Sequence, residues 1–148
     1  MKYPTILLVW LMILSTNAKA LEEQPIDLDD LRWKYRIILV SAHEPHTSNA
    51  LVNLNELAAE IEERDIAWFV LGDDELHTNY KGKLKHTLRE QIVDRYFTPV
   101  PNETSVLLVG KDGTLKYHSS DLNLEATFGL IDQMPMRREE MQRKSGDG

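Results

Sequence analysis

Two histidines and a carboxylate stand close together in the chain, at His43, Glu44 and His46. Neutral imidazole and carboxylate groups are ligands that suit zinc or copper, so this loop is a candidate metal site. The spacing is unspecific: it is not the His-Glu-x-x-His pattern of a helical zinc site, and Pro45 opposes a regular helical placement of both rings. Histidines that lie on the surface or cap a helix are the competing interpretation. A metal-binding or enzymatic protein that uses the His43-Glu44-Pro45-His46 loop is therefore the alternative hypothesis.

The 148-residue chain contains no cysteine. Thiolates are the nucleophiles of disulfide exchange and of cysteine-dependent peroxide reduction, so thiol oxidoreductase and peroxiredoxin activities are excluded for this chain alone. The sequence also lacks a Gly-x-Ser-x-Gly nucleophile elbow and a phosphate-binding loop. We therefore assign no catalytic residue and no cofactor, and favour a protein that is not an enzyme.

The beginning of the chain has the features of a removable export signal. Lys2 precedes an apolar segment at 6–14, and Ala18 and Ala20 supply the small residues that a signal peptidase reads. The apolar segment is shorter than the roughly 20 residues that span a bilayer. We predict a signal peptide at 1–20 and an exported protein, periplasmic or extracellular, that has no membrane attachment once the signal is removed.

Acidic side chains outnumber basic ones, which gives a formal net charge of −7. Removal of the signal would take Lys2 and Lys19 with it and leave 15 basic against 24 acidic side chains, a charge of −9. Such a charge disfavours nucleic acid as the main partner. Five of the acidic residues lie within 21–30 beside Pro25, a composition that predicts a flexible lead-in.

Apolar patterning predicts an α/β fold in which a βαβ unit is followed by a helix, a β-hairpin and a C-terminal helix, around a four-stranded mixed sheet. Asp112-Gly113 between two strand-like runs is a strong hairpin signal, and the glycines of this turn are expected to supply positive φ. The element order is that of a minimal thioredoxin-like domain. The expected elements are strands at 36–42, 66–71, 105–109 and 114–118, and helices at 51–63, 84–96 and 124–131, with a break at Pro135 before 136–141.

Three stretches are not demanded by simple packing rules: Arg32-Trp33-Lys34, Gly110-Lys111-Asp112-Gly113, and 131–141, which begins Ile131-Asp132-Gln133-Met134-Pro135-Met136-Arg137-Arg138. Together they resemble the hallmarks of the domain-of-unknown-function 4174 family (DUF4174). The resemblance covers roughly residues 28–141. It implies a thioredoxin-like domain without redox cysteines, related to domains in sushi-repeat and matrix-associated extracellular proteins, and it brings no agreed catalytic residues.

Two interpretations of these motifs stay open. Trp33 is expected to pack at the edge of the core, the methionines to complete it, and the charged block after Pro135 to form a helix face with i,i+3 pairs. Clusters of apolar side chains and arginine are also typical of protein-recognition surfaces. Our first hypothesis is an interaction or structural module for an unidentified protein partner. The candidate contact residues are Arg32, Trp33, Lys34, Lys111, Asp112, Asp132, Met134, Pro135, Met136, Arg137 and Arg138.

The expected organisation of the whole chain follows from these observations. After the signal peptide at 1–20 and the lead-in at 21–30, the thioredoxin-like domain extends over 31–143. A short disordered tail at 144–148 is expected to complete the chain.

Overall fold

The computed structural model describes residues 23–146. The predicted signal peptide and the last two residues of the predicted tail lie outside the described residues. Between residues 23 and 146, no helix is both long and apolar enough to cross a membrane.

A five-stranded mixed sheet forms the centre of the protein, in the order β3-β2-β1-β4-β5. β1 and β2 are parallel, and the other neighbouring pairs are antiparallel. The predicted βαβ unit and hairpin are confirmed, but the predicted count of four strands was too low. The extra strand, β3, has three half-buried residues, too few to show a pattern. The strands are β1 Arg36–Ser41, β2 Ile66–Leu71, β3 Leu76–Thr78, β4 Ser105–Val109 and β5 Leu115–Ser119.

Five helices accompany the sheet, and their bounds differ from the predicted ones in three places. The first predicted helix begins earlier, at His46, and is interrupted at Leu57. The next begins at Leu88, because Lys85 and Ile26 hydrogen-bond to each other outside any helix. The last continues through 144–146, which the sequence assigned to the tail. The helices are α1 His46–Glu56, α2 Ala58–Glu63, α3 Leu88–Tyr96, α4 Leu124–Asp132 and α5 Pro135–Gly146.

Both faces of the sheet are covered, since every residue of β1, β2 and β4 is buried. Side chains such as Ile38 and Val70 pack with α1, α2 and α4 on one face, while Leu39 and Phe69 pack with α3 on the other. Burial on both faces explains why β1 and β2 are continuous apolar runs. The peripheral β5 is exposed along most of its length.

The ends of the strands form two opposite edges of the sheet. β1 and β2 begin, and β4 ends, at one edge, which we call the motif edge; it includes residues 32–36, 63–65 and 110–114. The opposite end, where β1 and β2 finish, is the carboxyl edge. His43 and Asp73 lie there, in the loops that follow these two strands.

Candidate functional site

The Arg32-Trp33-Lys34 segment and the Gly110–Gly113 turn meet at the motif edge. The backbone N–H of Trp33 donates to the Lys111 carbonyl over 2.7 Å, and Arg32 Nε donates to the Asp112 carbonyl over 3.1 Å. These two hydrogen bonds join segments that lie about 80 residues apart in sequence. The structure brings two of the three motifs together.

Gly113 is the turn position that needs glycine. It has φ +80°, and a Cβ placed there would collide with the Arg32 guanidinium. The expectation of positive φ holds for Gly113 but not for Gly110. The Asp112 side chain also completes the turn: it accepts from Thr114 N at 3.0 Å and from Lys116 Nζ at 2.8 Å. The hydrogen bond from Lys116 is the main reason that the pKa of Asp112 is lowered to about 2.

The third motif reaches the same edge through Glu140 of α5. Its carboxylate accepts from both terminal nitrogens of Arg36, at 3.2 and 3.3 Å, and from Lys111 Nζ at 2.8 Å. Lys111 also donates to Asp65 at 2.8 Å. Burial favours a raised pKa for Glu140, but the bonds from Lys111 and Arg36 outweigh it and lower the pKa. These bonds anchor α5 to β1 and to the β4–β5 turn.

Arg137 makes a second set of ion pairs beside the first. Its Nε donates to Asp132 at 3.2 Å, and its terminal nitrogens donate to the Glu63 carboxylate at 2.7 Å and to the Glu63 carbonyl at 3.0 Å. Asp132 also binds Arg64, whose guanidinium lies 4.6 Å from the centre of the Phe128 ring. Burial favours a raised pKa for Asp132, yet the two arginines lower it. We call the whole set the ion-pair network: Arg36, Glu63, Arg64, Asp65, Lys111, Asp132, Arg137 and Glu140.

The predicted contact residues fall into two groups: those whose side chains are buried or engaged in contacts, and those that are exposed. Arg137 is 1% exposed and Lys111 is 9% exposed, so neither side chain is available to a partner on the surface. Met134 packs against the core, and Asp112 and Asp132 are engaged in the contacts above. The predicted residues that remain exposed are Arg32, Trp33, Lys34, Pro135, Met136 and Arg138.

Sequence reasoning missed five members of the ion-pair network: Arg36, Glu63, Arg64, Asp65 and Glu140. Its one relevant signal was the expected i,i+3 pairing in the last helix, and Arg137 does lie 3.8 Å from Glu140. Arg36 opens the apolar run of β1, and no local pattern marks it as an ion-pair partner. Its partner lies 104 residues away in sequence, where no local pattern shows it.

Trp33 combines exposure with an unfavourable backbone conformation. Its side chain is 64% exposed and its φ is +65°. The left-handed region is rare for a bulky residue and costs roughly 1–2 kcal/mol. The expectation that Trp33 packs at the edge of the core is wrong. The backbone of Trp33 is instead held by its hydrogen bond to the Lys111 carbonyl, and the indole is exposed.

At the carboxyl edge, the predicted metal site is not formed. His43 Nδ1 lies 2.5 Å from Asp73, while the Glu44 carboxylate accepts from Ser48. Across residues 23–146, no three histidine or acidic side chains are grouped in a way that could hold a metal ion. His46 is the first residue of α1, directly after Pro45. His43 and Glu44 are thus neighbours in sequence whose side chains bind different partners.

The three motifs thus converge on one edge of a thioredoxin-like sheet. Residues 27–140 match the sequence profile of a family described as "Domain of unknown function (DUF4174)". The chain belongs to the DUF4174 family. The match covers most of the chain and confirms the resemblance seen in the three motifs, whose joining contacts are now visible in this DUF4174 domain. A search of curated proteins finds no match to it.

Two solved structures that resemble the DUF4174 domain confirm the thioredoxin-like fold. One is the mitochondrial 2-Cys peroxiredoxin from Plasmodium falciparum, with a TM-score of 0.51, 13% identity, and coverage of 72% of this chain and 79% of that one. The other is thioredoxin peroxidase I of Plasmodium yoelii, with a TM-score of 0.51, 15% identity, and coverage of 76% and 79%. At such identities the likeness is one of fold alone. The DUF4174 domain has no cysteine with which to perform thiol peroxidase chemistry.

Proposed function

We propose that this DUF4174 protein is exported and serves as a protein-interaction module whose contact surface centres on Trp33. As in the first hypothesis drawn from the sequence, the protein is an interaction module, but the contact surface is now centred on Trp33. The buried Arg137 and Lys111 support the surface from within, and the exposed Arg32-Trp33-Lys34 turn meets the partner.

The observation that carries the proposal is the left-handed conformation of an exposed tryptophan. Backbone strain persists where the surrounding structure enforces it, and such strain clusters at functional sites. Here the Lys111 carbonyl enforces it, and Lys111 is itself held by Glu140 and Asp65. Tryptophan and arginine are also the residues that most often dominate binding energy at interfaces. An exposed indole on a fixed backbone, next to Arg32, is therefore an economical anchor, since little backbone freedom is lost on binding.

The helix that docks at this edge extends the surface. Met136 is 38% exposed, and Arg138 is exposed next to the buried Arg137. Both project from α5, which the ion-pair network holds against the motif edge. Methionine adapts its shape to an apolar partner, and arginine donates hydrogen bonds in a fixed fork.

The test is affinity capture with chemical crosslinking from the native extracytoplasmic extract, comparing wild type with Trp33→Asn. Asparagine tolerates a left-handed backbone, so this variant should fold and gain up to about 1 kcal/mol in the free energy of unfolding. We expect it to lose a captured protein that wild type retains, with affinity reduced by roughly 30-fold or more, as for an interface hot spot.

Val52→Asn is the matched control, because Val52 is an exposed apolar residue of α1, 55% exposed. It should capture the same proteins as wild type. Equal capture by wild type and Trp33→Asn would remove Trp33 from the contact surface, and a partner lost equally in both variants would show a nonspecific apolar contact.

A further inference from the structure

α5 is attached to the domain by charge. Within Pro135–Gly146, Arg137 alone is buried, and the helix has no buried apolar side chain. Helices in proteins are usually held by an apolar face. In α5 that role belongs to Arg137 and Glu140, which make the ion pairs described above.

The surroundings of Glu140 have the geometry of a carboxylate-binding site. Arg36 contributes both of its terminal nitrogens, one to each oxygen of the carboxylate, and Lys111 adds a third charge-assisted bond. A guanidinium fork with an ammonium beside it is how proteins bind free carboxylates and other oxyanions. Here the carboxylate comes from the chain itself.

This site is built by the body of the domain and not by α5. Arg36 is the first residue of β1, and its Nη1 also donates to the Arg64 carbonyl at 2.8 Å. Lys111 lies in the β4–β5 turn and also binds Asp65. Both cations are therefore held in place by contacts that do not involve α5.

With α5 docked, the Arg36 side chain is 1% exposed. Departure of α5 would expose Arg36 and remove the Glu140 carboxylate from both Arg36 and Lys111. An anion that accepts charge-assisted hydrogen bonds from both cations would therefore stabilise the state in which the helix has left. We propose that Arg36 and Lys111 form a carboxylate-binding site, that Glu140 occupies it as an intramolecular ligand, and that a carboxylate of an acidic peptide exchanges with Glu140. α5 is then the cover of this site.

The first experiment empties the site with Glu140→Ala and refills it with acetate. Thermal unfolding is followed in sodium acetate, sodium sulfate and sodium chloride at equal ionic strength and near-neutral pH. Binding to the folded state raises the unfolding midpoint, so acetate should raise that of Glu140→Ala by about 3 °C or more above chloride, and wild type much less. Sulfate also stabilises proteins without binding to a site, so each rise is taken relative to that of wild type in the same salt. A larger relative rise in sulfate than in acetate would identify an oxyanion site and overturn the carboxylate assignment.

Glu139→Ala is the matched control, because Glu139 is exposed on the same helix. An equal acetate effect in Glu139→Ala, or none in Glu140→Ala, would overturn the site. Addition of Lys111→Met to Glu140→Ala should abolish the acetate effect. If Glu140→Ala is unfolded in chloride, recovery of the fold in acetate supports the site and its failure opposes it.

The second experiment tests the exchange in the wild-type protein by hydrogen–deuterium exchange. An oligoglutamate peptide should increase amide exchange in 135–146 while leaving β1 protected, and an oligoglutamine peptide of equal length should not. Equal exchange of 135–146 with both peptides would show that Glu140 is not displaced in trans. These readouts do not involve a protein bound at Trp33, so they stand or fall separately from the proposed function.

Discussion

Two residues other than glycine have positive φ in the described part of the chain, and both lie at the motif edge. Asp65 has φ +49°, and aspartate is one of the residues that tolerate this region; its carbonyl accepts from the Arg36 N–H at 2.8 Å. Trp33 has no such tolerance. The less favourable backbone conformation therefore occurs at Trp33, whose side chain lies in solvent. Backbone strain of this kind clusters at functional sites, where it is retained at some expense of stability.

His43 and Asp73 form an ion pair at the opposite edge. His43 is half-exposed, and its hydrogen bond with Asp73 raises the pKa of the imidazole above 6.5, with further help from the Asp73 charge. Because the folded pKa is raised, the contribution of this pair to stability is present below pH 6.5 and is lost as pH rises through the folded value.

We therefore expect the ring protons of His43 to titrate above 6.5 in an NMR pH series. Asp73→Asn should lower the pKa of His43, because it removes both the hydrogen bond to the charged ring and the nearby negative charge. Asp74→Asn, next to it in the same loop, should leave the His43 titration as in wild type. Identical His43 curves in wild type and Asp73→Asn would exclude the pair in solution.

At the scale of elements, α5 provides a matched pair of neighbouring arginines. Arg137→Met should lower the free energy of unfolding by about 2–3 kcal/mol. A fully buried pair that loses one partner costs roughly 3–5 kcal/mol, and the cost here is smaller because Asp132 and Glu63 are partly solvated. Arg138→Met should change it by less than about 0.5 kcal/mol, because Arg138 is exposed. Urea denaturation of the two variants measures both values.

The opposite order of effects, or equal effects, would mean that the ion-pair network does not hold α5. The same comparison shows which arginine of α5 can be changed in a binding experiment without loss of the helix. A variant that removes both arginines would confuse loss of a contact with loss of the helix. Arg138 alone is suited to test the surface of α5.

The elements that were predicted correctly are those specified by local patterns. The apolar run of β1 and the Asp112-Gly113 turn each carry their signal within a few residues. The break between α1 and α2 at Leu57 was not foreseen, since Leu57 continues the apolar spacing of the helix and supplies neither glycine nor proline.

The sequence predicted only part of the candidate site, and it did not predict the chemistry of that site. The motifs pointed to Arg137 and Lys111, but basic side chains are rarely buried unless they are paired, so the sequence favoured an exposed surface. The pairing depends on contacts such as Arg36 to Glu140 and Arg64 to Asp132, which join residues 104 and 68 positions apart. Such contacts follow from the completed fold.

At the scale of the molecule, the two edges of the sheet carry different kinds of residues. In a thioredoxin-like arrangement, the loop after the first central strand is the position of thiol chemistry, and here that loop carries His43 and no cysteine. The three motifs lie at the other edge and are organised around buried charges. A shared fold does not imply a shared function, because function resides in sites and not in folds.

The depressed carboxylate pKa values make a prediction for the stability of the whole protein. Folding lowers the pKa of Asp27, Asp132 and Glu140, and that of Asp112 to about 2. A group with a depressed folded pKa stabilises the protein above its unfolded pKa of roughly 4, and the stabilisation is lost as pH falls through the folded value. The free energy of unfolding should therefore fall below about pH 4. Urea denaturation at a series of pH values measures this slope.

Glu140→Gln connects this acid sensitivity to the ion-pair network. The variant should be less stable than wild type at neutral pH, because Gln cannot neutralise Arg36 and Lys111, and less dependent on pH below about 4, because unfolding then takes up fewer protons. Glu139→Gln should retain the wild-type slope. If Glu140→Gln and wild type lose stability in parallel as the pH falls, the acid sensitivity resides in Asp27, Asp112 and Asp132, and Glu140 does not anchor α5 through its charge.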